Sequence, residues 1–142
     1  MAASPEYELQ VAQFAVLSGA ACQAMVAGGF GVHDRVPKGA SFPYVTIGDG
    51  HNVGDLAQGY DGGEIHVDVH VWSRAVGKVE AKIIAHAVRL TCAPMLGGPA
   101  PFELVTNQLV TWGHVGSEYL DDPDGLTTHG IVHLKYLTAP QT

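Results

Sequence analysis

The chain has 142 residues, of which 46% are hydrophobic and only 15% charged. This length suits one compact domain, which we expect to span residues 1–142. The apolar fraction is too high for a disordered chain, and seven basic against fourteen acidic residues give a net charge of −7. Because nucleic-acid binding uses Lys and Arg to displace counterions from phosphates, this balance argues against a protein that wraps DNA or RNA.

The sequence also argues against a membrane protein. The most apolar stretch, residues 11–30, is interrupted by Gln13, Ser18 and Gln23, whereas a spanning helix needs about 20 predominantly apolar residues. The first residues lack the basic region of a secretory signal. We therefore expect Cys22 and Cys92 to be free, buried thiols of a reducing compartment.

The first predicted element is a helix with its body at residues 9–26. Ser4 is a suitable N-cap and Pro5 a suitable first-turn residue, and Gly28 and Gly29 end the helix. Apolar residues occur nearly all round this helix. Such a helix is covered on more than one side, and in so small a domain another subunit could supply the second cover.

Three strands are predicted next, at residues 31–36, 42–48 and 64–73. Residues 49–63 are rich in Gly and Asn and predict a long, flexible loop. The third strand alternates strictly between valine or isoleucine and polar residues. Strict alternation indicates one face on a core and the other on solvent or a partner.

A second helix is predicted at residues 77–93, followed by a hairpin. An apolar stripe comprises Val79, Ile83, Ala87 and Leu90. Residues 102–120 predict a long strand, bulged near Gly113 and Gly116, and 126–138 its partner after a type I turn at 122–125. The order α-β-β-β-α-β-β indicates an α+β domain with two helices packed on one face of a sheet.

The histidines raise the possibility of a metal site. His66, Asp68 and His70 share one face of the third strand, while His129 and His133 share one face of the last. Imidazole and carboxylate groups suit zinc and other transition metals. However, alternate residues on a strand lie about 6.5–7 Å apart, and the spacing matches no known metal motif. A polar face on solvent or an interface is the favoured interpretation.

Four of the seven bases lie in or beside the second helix: Arg74, Lys78, Lys82 and Arg89. They are typical of a solvated helix face. Alternatively, they could contact the acidic turn of a neighbouring copy, formed by Asp121, Asp122 and Asp124. A head-to-side contact of this kind closes into a ring when the rotation is right. Turn formation accounts for Asp122 without acid–base catalysis, and the serines lack a nucleophile-elbow motif.

Several short motifs follow one another along the chain: residues 32–37 (VHDRVP), 42–48 (FPYVTIG), 69–74 (VHVWSR), 119–125 (YLDDPDG) and 129–136 (HGIVHLKY). With the Ala-rich first helix and the helix around residues 81–84, their order and spacing resemble the tail terminator (tail completion) family of long-tailed bacteriophages and gene transfer agents. The resemblance covers residues 9–138. At the start of the third strand, relatives often carry a basic residue where this chain has Glu64.

This resemblance implies a structural protein rather than an enzyme, with no cofactor. Family members form rings, expected to be hexamers, at the head-proximal end of the tail tube, where they end tube polymerisation and join the tail to the head. The implied fold is a mixed, mainly antiparallel sheet with helices on one side. The implied partners are further copies of the chain, the tail tube protein and the head-completion (stopper) protein, with DNA only as passing cargo. The implied location is the virion, after assembly in the bacterial cytoplasm.

Three groups of residues are candidates for contacts in such a ring. The lumen or ring-contact face would comprise Glu64, His66, Asp68 and His70, and the acidic turn is an alternative lining. The subunit interface would comprise Lys78, Lys82, Arg89, Asp121, Asp122 and Asp124, and the loop towards a neighbouring ring Asp49, Asn52, Asp55 and Asp61. The remaining alternatives are a small His/Asp metal-dependent enzyme and a cytosolic ligand-binding α+β domain.

Overall fold

The computed structural model describes residues 3–54 and 63–141. Along the chain, the elements are α1 (Pro5–Ser18), α2 (Ala20–Gln23), β1 (Gly31–His33), β2 (Tyr44–Gly54), β3 (Gly63–Ser73), α3 (Val79–Cys92), β4 (Asn107–Asp121) and β5 (Thr128–Pro140). The strands form one five-stranded sheet in the order β1-β2-β3-β5-β4. Only the β1–β2 pair is parallel, and the other pairs are antiparallel. The predicted α+β class and mixed, mainly antiparallel sheet are confirmed.

The residues of the central strand β3 alternate between the two faces of the sheet. Its residues Ile65, Val67, Val69 and Val71 are buried, and the residues between them are half-buried. β5 continues the pattern with Val132, Leu134 and Tyr136, and α1 and α3 pack against this apolar side. The alternation that predicted a two-faced strand is therefore confirmed.

The first helix is shorter than predicted and divided. It begins at Pro5, with the Ser4 hydroxyl accepting a hydrogen bond from the Tyr7 amide, and ends at Ser18 instead of continuing to residue 26. Gly19 is extended, and α2 follows as a separate turn. The Gln23 side chain holds this break together, because it donates to the Leu17 carbonyl at 2.9 Å and accepts from the Phe30 amide at 2.8 Å.

The apolar residues of both long helices are distributed over two sides. In α1, Leu9 and Leu17 are buried, whereas Val11 and Phe14 on the other side are about half exposed. In α3, three members of the expected stripe lie on the outside and only Ala87 is buried, so most core contacts come from the residues between them, which are mainly small. Small side chains bring the helix close to the sheet, which a pattern of large apolar residues alone does not indicate. The buried set is Ala81, Ile84, Ala85, Ala87, Val88 and Cys92.

The predicted loop at residues 49–63 is wrong in its first part. Residues 49–54 continue β2 and pair with β3, after a β-bulge between Ile47 and Gly50. At Gly48 a Cβ atom would lie 2.6 Å from the Asp68 carbonyl oxygen, so the close approach of two strands requires glycine there. Of the glycines that suggested a loop, Gly50 and Gly54 lie in this bulged strand instead. Residues 55–62 lie outside the described residues.

The hairpin of β4 and β5 follows the prediction, with a later start at Asn107. Its register shifts between Leu109 and Thr111 and again between His114 and Gly116. The expected bulge near Gly116 is confirmed, but the one expected near Gly113 is wrong, because Gly113 pairs with Lys135 and the other bulge lies at Val110. The turn is closed by the Gly125 amide, which donates to the Asp122 carbonyl at 3.0 Å. In the residues that the structure describes, no helix has the length and apolar character needed to cross a membrane.

One buried carboxylate connects α1 to the start of β4. The side chain of Glu8 is 7% exposed and accepts hydrogen bonds from the amide and hydroxyl of Thr106 and from the amide and side chain of Asn107. Burial alone raises the pKa of this carboxyl, but the hydrogen bonds from Asn107 and Thr106 outweigh it and lower the pKa from 4.5 to about 2. The ionised group is therefore part of the folded structure.

We predict that Glu8→Gln lowers the free energy of unfolding by about 2–3 kcal/mol, since hydrogen bonds to a charged group are lost and amide donors are left buried. Because the folded pKa lies below the unfolded one, this stabilisation is complete above about pH 5 and decreases as the pH falls towards 2. Chemical denaturation between pH 2 and pH 7 measures both effects.

The matched control is Glu6→Gln, because Glu6 is exposed and contacts Asn52 at 2.7 Å. That change should cost less than about 0.5 kcal/mol. Equal losses in the two variants, or the same pH dependence in wild type and Glu8→Gln, would contradict the role assigned to Glu8.

Candidate functional site

The sheet has a second face, opposite the helices, on which polar side chains from three strands meet. We call it the open face. The β3–β5 register places Asp68 opposite His133 and Trp72 opposite His129, and strand alternation turns all four side chains to this side. The open face comprises Glu64, His66, Asp68, His70, Trp72, Glu118, His129, His133 and Lys135.

His133 joins three strands at the centre of the open face. Its Nδ1 lies 2.6 Å from Asp68 Oδ1 on β3, and its Nε2 lies 2.9 Å from Glu118 Oε1 on β4. Both ring nitrogens can donate at once only in the imidazolium form. Accordingly, the hydrogen bonds to Glu118 and Asp68 raise the pKa of His133 above its ordinary value, against the effect of burial. When protonated, His133 forms a charged bridge between carboxylates of β3 and β4.

A second ion pair lies at the end of the open face where β3 begins. Lys135 Nζ lies 2.6 Å from Glu64 Oε1, and His66 Nε2 lies 3.5 Å from the same oxygen. The hydrogen bond from Lys135 lowers the pKa of the Glu64 carboxyl. Glu64 occupies the position where the resemblance suggested a basic residue. In this chain its carboxylate pairs instead with a basic residue of β5, Lys135.

Aromatic rings stack at the other end of the open face. The Trp72 and His129 rings are nearly parallel, with centroids 3.9 Å apart, and His70 Nδ1 lies 2.7 Å from His129 Nε2. Burial and the neighbouring His70 lower the pKa of His129. Two histidines of β5, His129 and His133, thus have pKa values shifted in opposite directions.

The three side chains that suggested a metal site do not converge. His66 pairs with Glu64, Asp68 with His133, and His70 with His129. Within residues 3–54 and 63–141, no three His, Cys, Asp or Glu side chains are grouped so that they could hold a metal ion. The geometry is that of a polar sheet face, as the favoured interpretation had it.

The candidate interface residues all lie along one flank, beside β4. Lys78 pairs with Asp121 of its own chain at 3.2 Å, and Arg74 lies 3.8 Å from Asp124. Lys82 lies 5.6 Å from the centre of the Tyr119 ring. Arg89 lines a shallow pocket with His114, Ser117 and Tyr119, and Asp122 belongs to the turn between β4 and β5. The basic and acidic groups are thus neighbours within one molecule.

The candidate residues of the predicted loop lie at the far end of β2 or outside the described part. Asn52 donates to Glu6 at 2.7 Å on the helix side of the sheet. Asp49 belongs to β2. Asp55 and Asp61 fall outside the described residues.

Sequence reasoning missed two members of the open face, Glu118 and Lys135. The two shifts of register along β4 change which side chains face which way, so Glu118 cannot be assigned to a face by counting. Lys135 alternates with His133 and shares its face, but its ion pair with Glu64 depends on the β3–β5 register, which no local pattern specifies.

Comparison with known proteins shows the family. The model of the family described as "Tail completion protein gp17" matches residues 12–139. The tail completion protein gp17 of Bacillus phage SPP1 is 31% identical over 101 residues, which are 70% of this chain and 69% of the phage protein. The chain belongs to the gp17 family of tail completion proteins. The resemblance found in the sequence is confirmed.

A solved structure shares the fold. A chain from the structure titled "Virion of native gene transfer agent (GTA) particle" superposes with a TM-score of 0.76 at 18% identity, covering 96% of this chain and 95% of that one. As a member of the gp17 family, this chain is a structural tail protein of the virion and not an enzyme. This assignment decides against the metal-dependent enzyme.

We predict that NMR titration finds the pKa of His133 above 6.5 and that of His129 below it. Glu118→Gln should lower the pKa of His133, because a charged acceptor becomes neutral. Since the folded pKa of His133 is raised, its bridge stabilises the fold below about pH 6.5 and is lost as the pH rises through the folded value.

Glu103→Gln, at an exposed position outside the open face, is the control and should leave both histidines unchanged. A His133 pKa at or below 6.5 in the wild-type protein would rule out the charged bridge.

Proposed function

We propose that this chain forms a ring, expected to be a hexamer, at the head-proximal end of the tail tube. There it ends tube polymerisation and joins the tail to the head while DNA passes through the ring. Membership of the tail completion family carries this proposal. The partners would be further copies of the chain, the tail tube protein and the head-completion protein, and residues 1–142 would act as a single domain.

The open face is the proposed lining of the ring. Three carboxylates, from Glu64, Asp68 and Glu118, face the charges of Lys135 and His133 in hydrogen-bonded pairs. One negative charge therefore remains in excess even when His133 is protonated, and both basic groups are already engaged by carboxylates. Since DNA is retained by Lys and Arg that neutralise its phosphates, such a surface supports passage rather than binding. The net charge of −7 for the whole chain supports the same conclusion.

The flank beside β4 is the proposed subunit interface. Lys78 and Asp121 neutralise each other there, so their pair can be covered by a neighbouring copy without leaving an isolated buried charge. Lys82, Arg89, Asp122 and Asp124 lie on the same flank and would complete the contact. The end of β2, with Asn52, is proposed to face a neighbouring ring, as the sequence suggested for Asp49, Asp55 and Asp61; the last two fall outside the described residues.

Assembly tests the proposal directly. We expect the purified protein, mixed with tail tubes, to cap one end of each tube as a ring with about six times the mass of the chain. Electron microscopy and light scattering measure the cap and the mass. Particles that lack the protein should have tails of irregular length without heads. Uniform, head-joined tails in its absence would refute the assignment.

Passage of DNA is tested with two matched substitutions to arginine. His66 lies on the central strand β3 within the open face, and Ala15 is exposed on α1. We predict that His66→Arg leaves particle assembly intact but lowers DNA delivery on the order of tenfold, because each copy adds a cation that phosphates can bind. Ala15→Arg adds a charge on the helix side and should have little effect. Equal delivery by the two variants would show that the open face does not line the channel.

A further inference from the structure

The edge strand β4 lacks charged residues and proline over most of its length. It has β5 on one side and, among the described residues, no strand on the other. From Asn107 to Ser117 it contains no Lys, Arg, Asp, Glu or Pro. Proteins usually place such residues on exposed edges, since unpaired amides and carbonyls otherwise recruit a further strand. This edge is therefore suited to be covered.

The two bulges of β4 expose apolar side chains along that edge. Val110 and Val115 fall at the two register shifts and have no paired residue on β5. They are 49% and 64% exposed. Bulges can turn an edge away from partners, but they also give a sheet the curvature needed for closure. Both bulges carry valine rather than a charged residue. This favours a role in curving the sheet for closure over a role in keeping partners away.

A complementary edge lies at the opposite side of the same sheet. β1 covers β2 only from Tyr44 to Thr46, so the edge of β2 from Ile47 to Gly54 has no neighbouring strand in the described part. This segment also contains a bulge. Its exposed valine, Val53, is 44% exposed and lies opposite Glu64, on the open face.

The strand directions allow these two edges to meet in successive copies. β2, β3, β5 and β4 are antiparallel in turn, so β4 runs opposite to β2. When the β4 of one copy lies beside the β2 of the next with the same face inward, the new pair is antiparallel. The alternation then continues without interruption from copy to copy. A head-to-tail contact of this kind repeats around an axis and closes into a ring.

We propose that β4 pairs antiparallel, edge to edge, with Ile47–Gly54 of β2 in a second copy of this chain. The sheets of all copies then form one closed wall, with the open face on one side and the helices on the other. This proposal rests on the proposed function, because it specifies the joint of the proposed ring. In this arrangement the flank beside β4 contacts the side of the next copy that carries β2.

Cysteine cross-linking tests the pairing. Within one chain, Gly54 aligns through Gly63 and Thr138 with Leu109, so a ring without stagger would place Val53 near Val110. Closure of a sheet requires some stagger between neighbouring strands. A cysteine at Val115 therefore tests a second, shifted register. Val53→Cys is therefore combined with Val110→Cys or with Val115→Cys in one chain, while the native Cys22 and Cys92 are buried. Oxidation of rings on tail tubes should give a ladder of linked oligomers with at least one of these pairs.

The matched control combines Val53→Cys with Ile83→Cys, an exposed position on α3, and should give no ladder. The single variants Val110→Cys and Val115→Cys, without Val53→Cys, should form no links. If either of them forms dimers, two β4 strands pair with each other. That result, or the absence of links from both pairs in rings that are present, would overturn the strand pairing.

Charged edge variants provide an independent measurement. Val110→Lys with Val115→Lys should leave the melting temperature unchanged and abolish ring formation, whereas Met95→Lys, at an exposed loop position after α3, should leave the ring intact. Rings formed by the double variant would overturn the edge proposal and leave the proposed function standing. A wild-type protein that forms no ring on tail tubes would overturn the proposed function itself.

Discussion

The whole molecule depends on the strict two-residue alternation of β3, which lies in the middle of the sheet. Its valines and isoleucine carry the apolar core, and every residue between them projects towards the open face. A slip of one residue in its pairing would exchange the two sets and place carboxylates and imidazoles beneath the helices. The same register therefore fixes the core and the polar surface together, and neither can change without the other.

Those features of the fold that depend on local patterns could be predicted from the sequence. Alternation identified β3, the Asp122–Gly125 turn identified the final hairpin, and Ser4 with Pro5 marked the beginning of α1. Features that depend on close packing could not. Gly48 falls within the predicted strand 42–48, yet nothing in the sequence indicates that glycine is required there because β3 approaches too closely for a side chain.

The candidate site shows the same division. The histidines of β3 and β5 were assigned to their faces by counting along each strand. Their partners were not, since Glu118 reaches His133 only through the shifted register of β4. Which carboxylate faces which imidazole is a property of strand pairing. For this reason the sequence favours a polar face but leaves a metal site open, and the arrangement of the side chains is needed to separate the two.

The carboxylate of Glu8 has a consequence for how the protein forms. Its partners, Thr106 and Asn107, are 98 and 99 residues further along the chain, and β3 similarly awaits β5 before it becomes an internal strand. During synthesis on the ribosome, α1 therefore emerges long before the residues that bind its Glu8 carboxylate. Contacts of such long separation slow folding. The segment that binds Glu8 and the strand that covers β3 are both made late, so the first helix waits for them before its position is fixed.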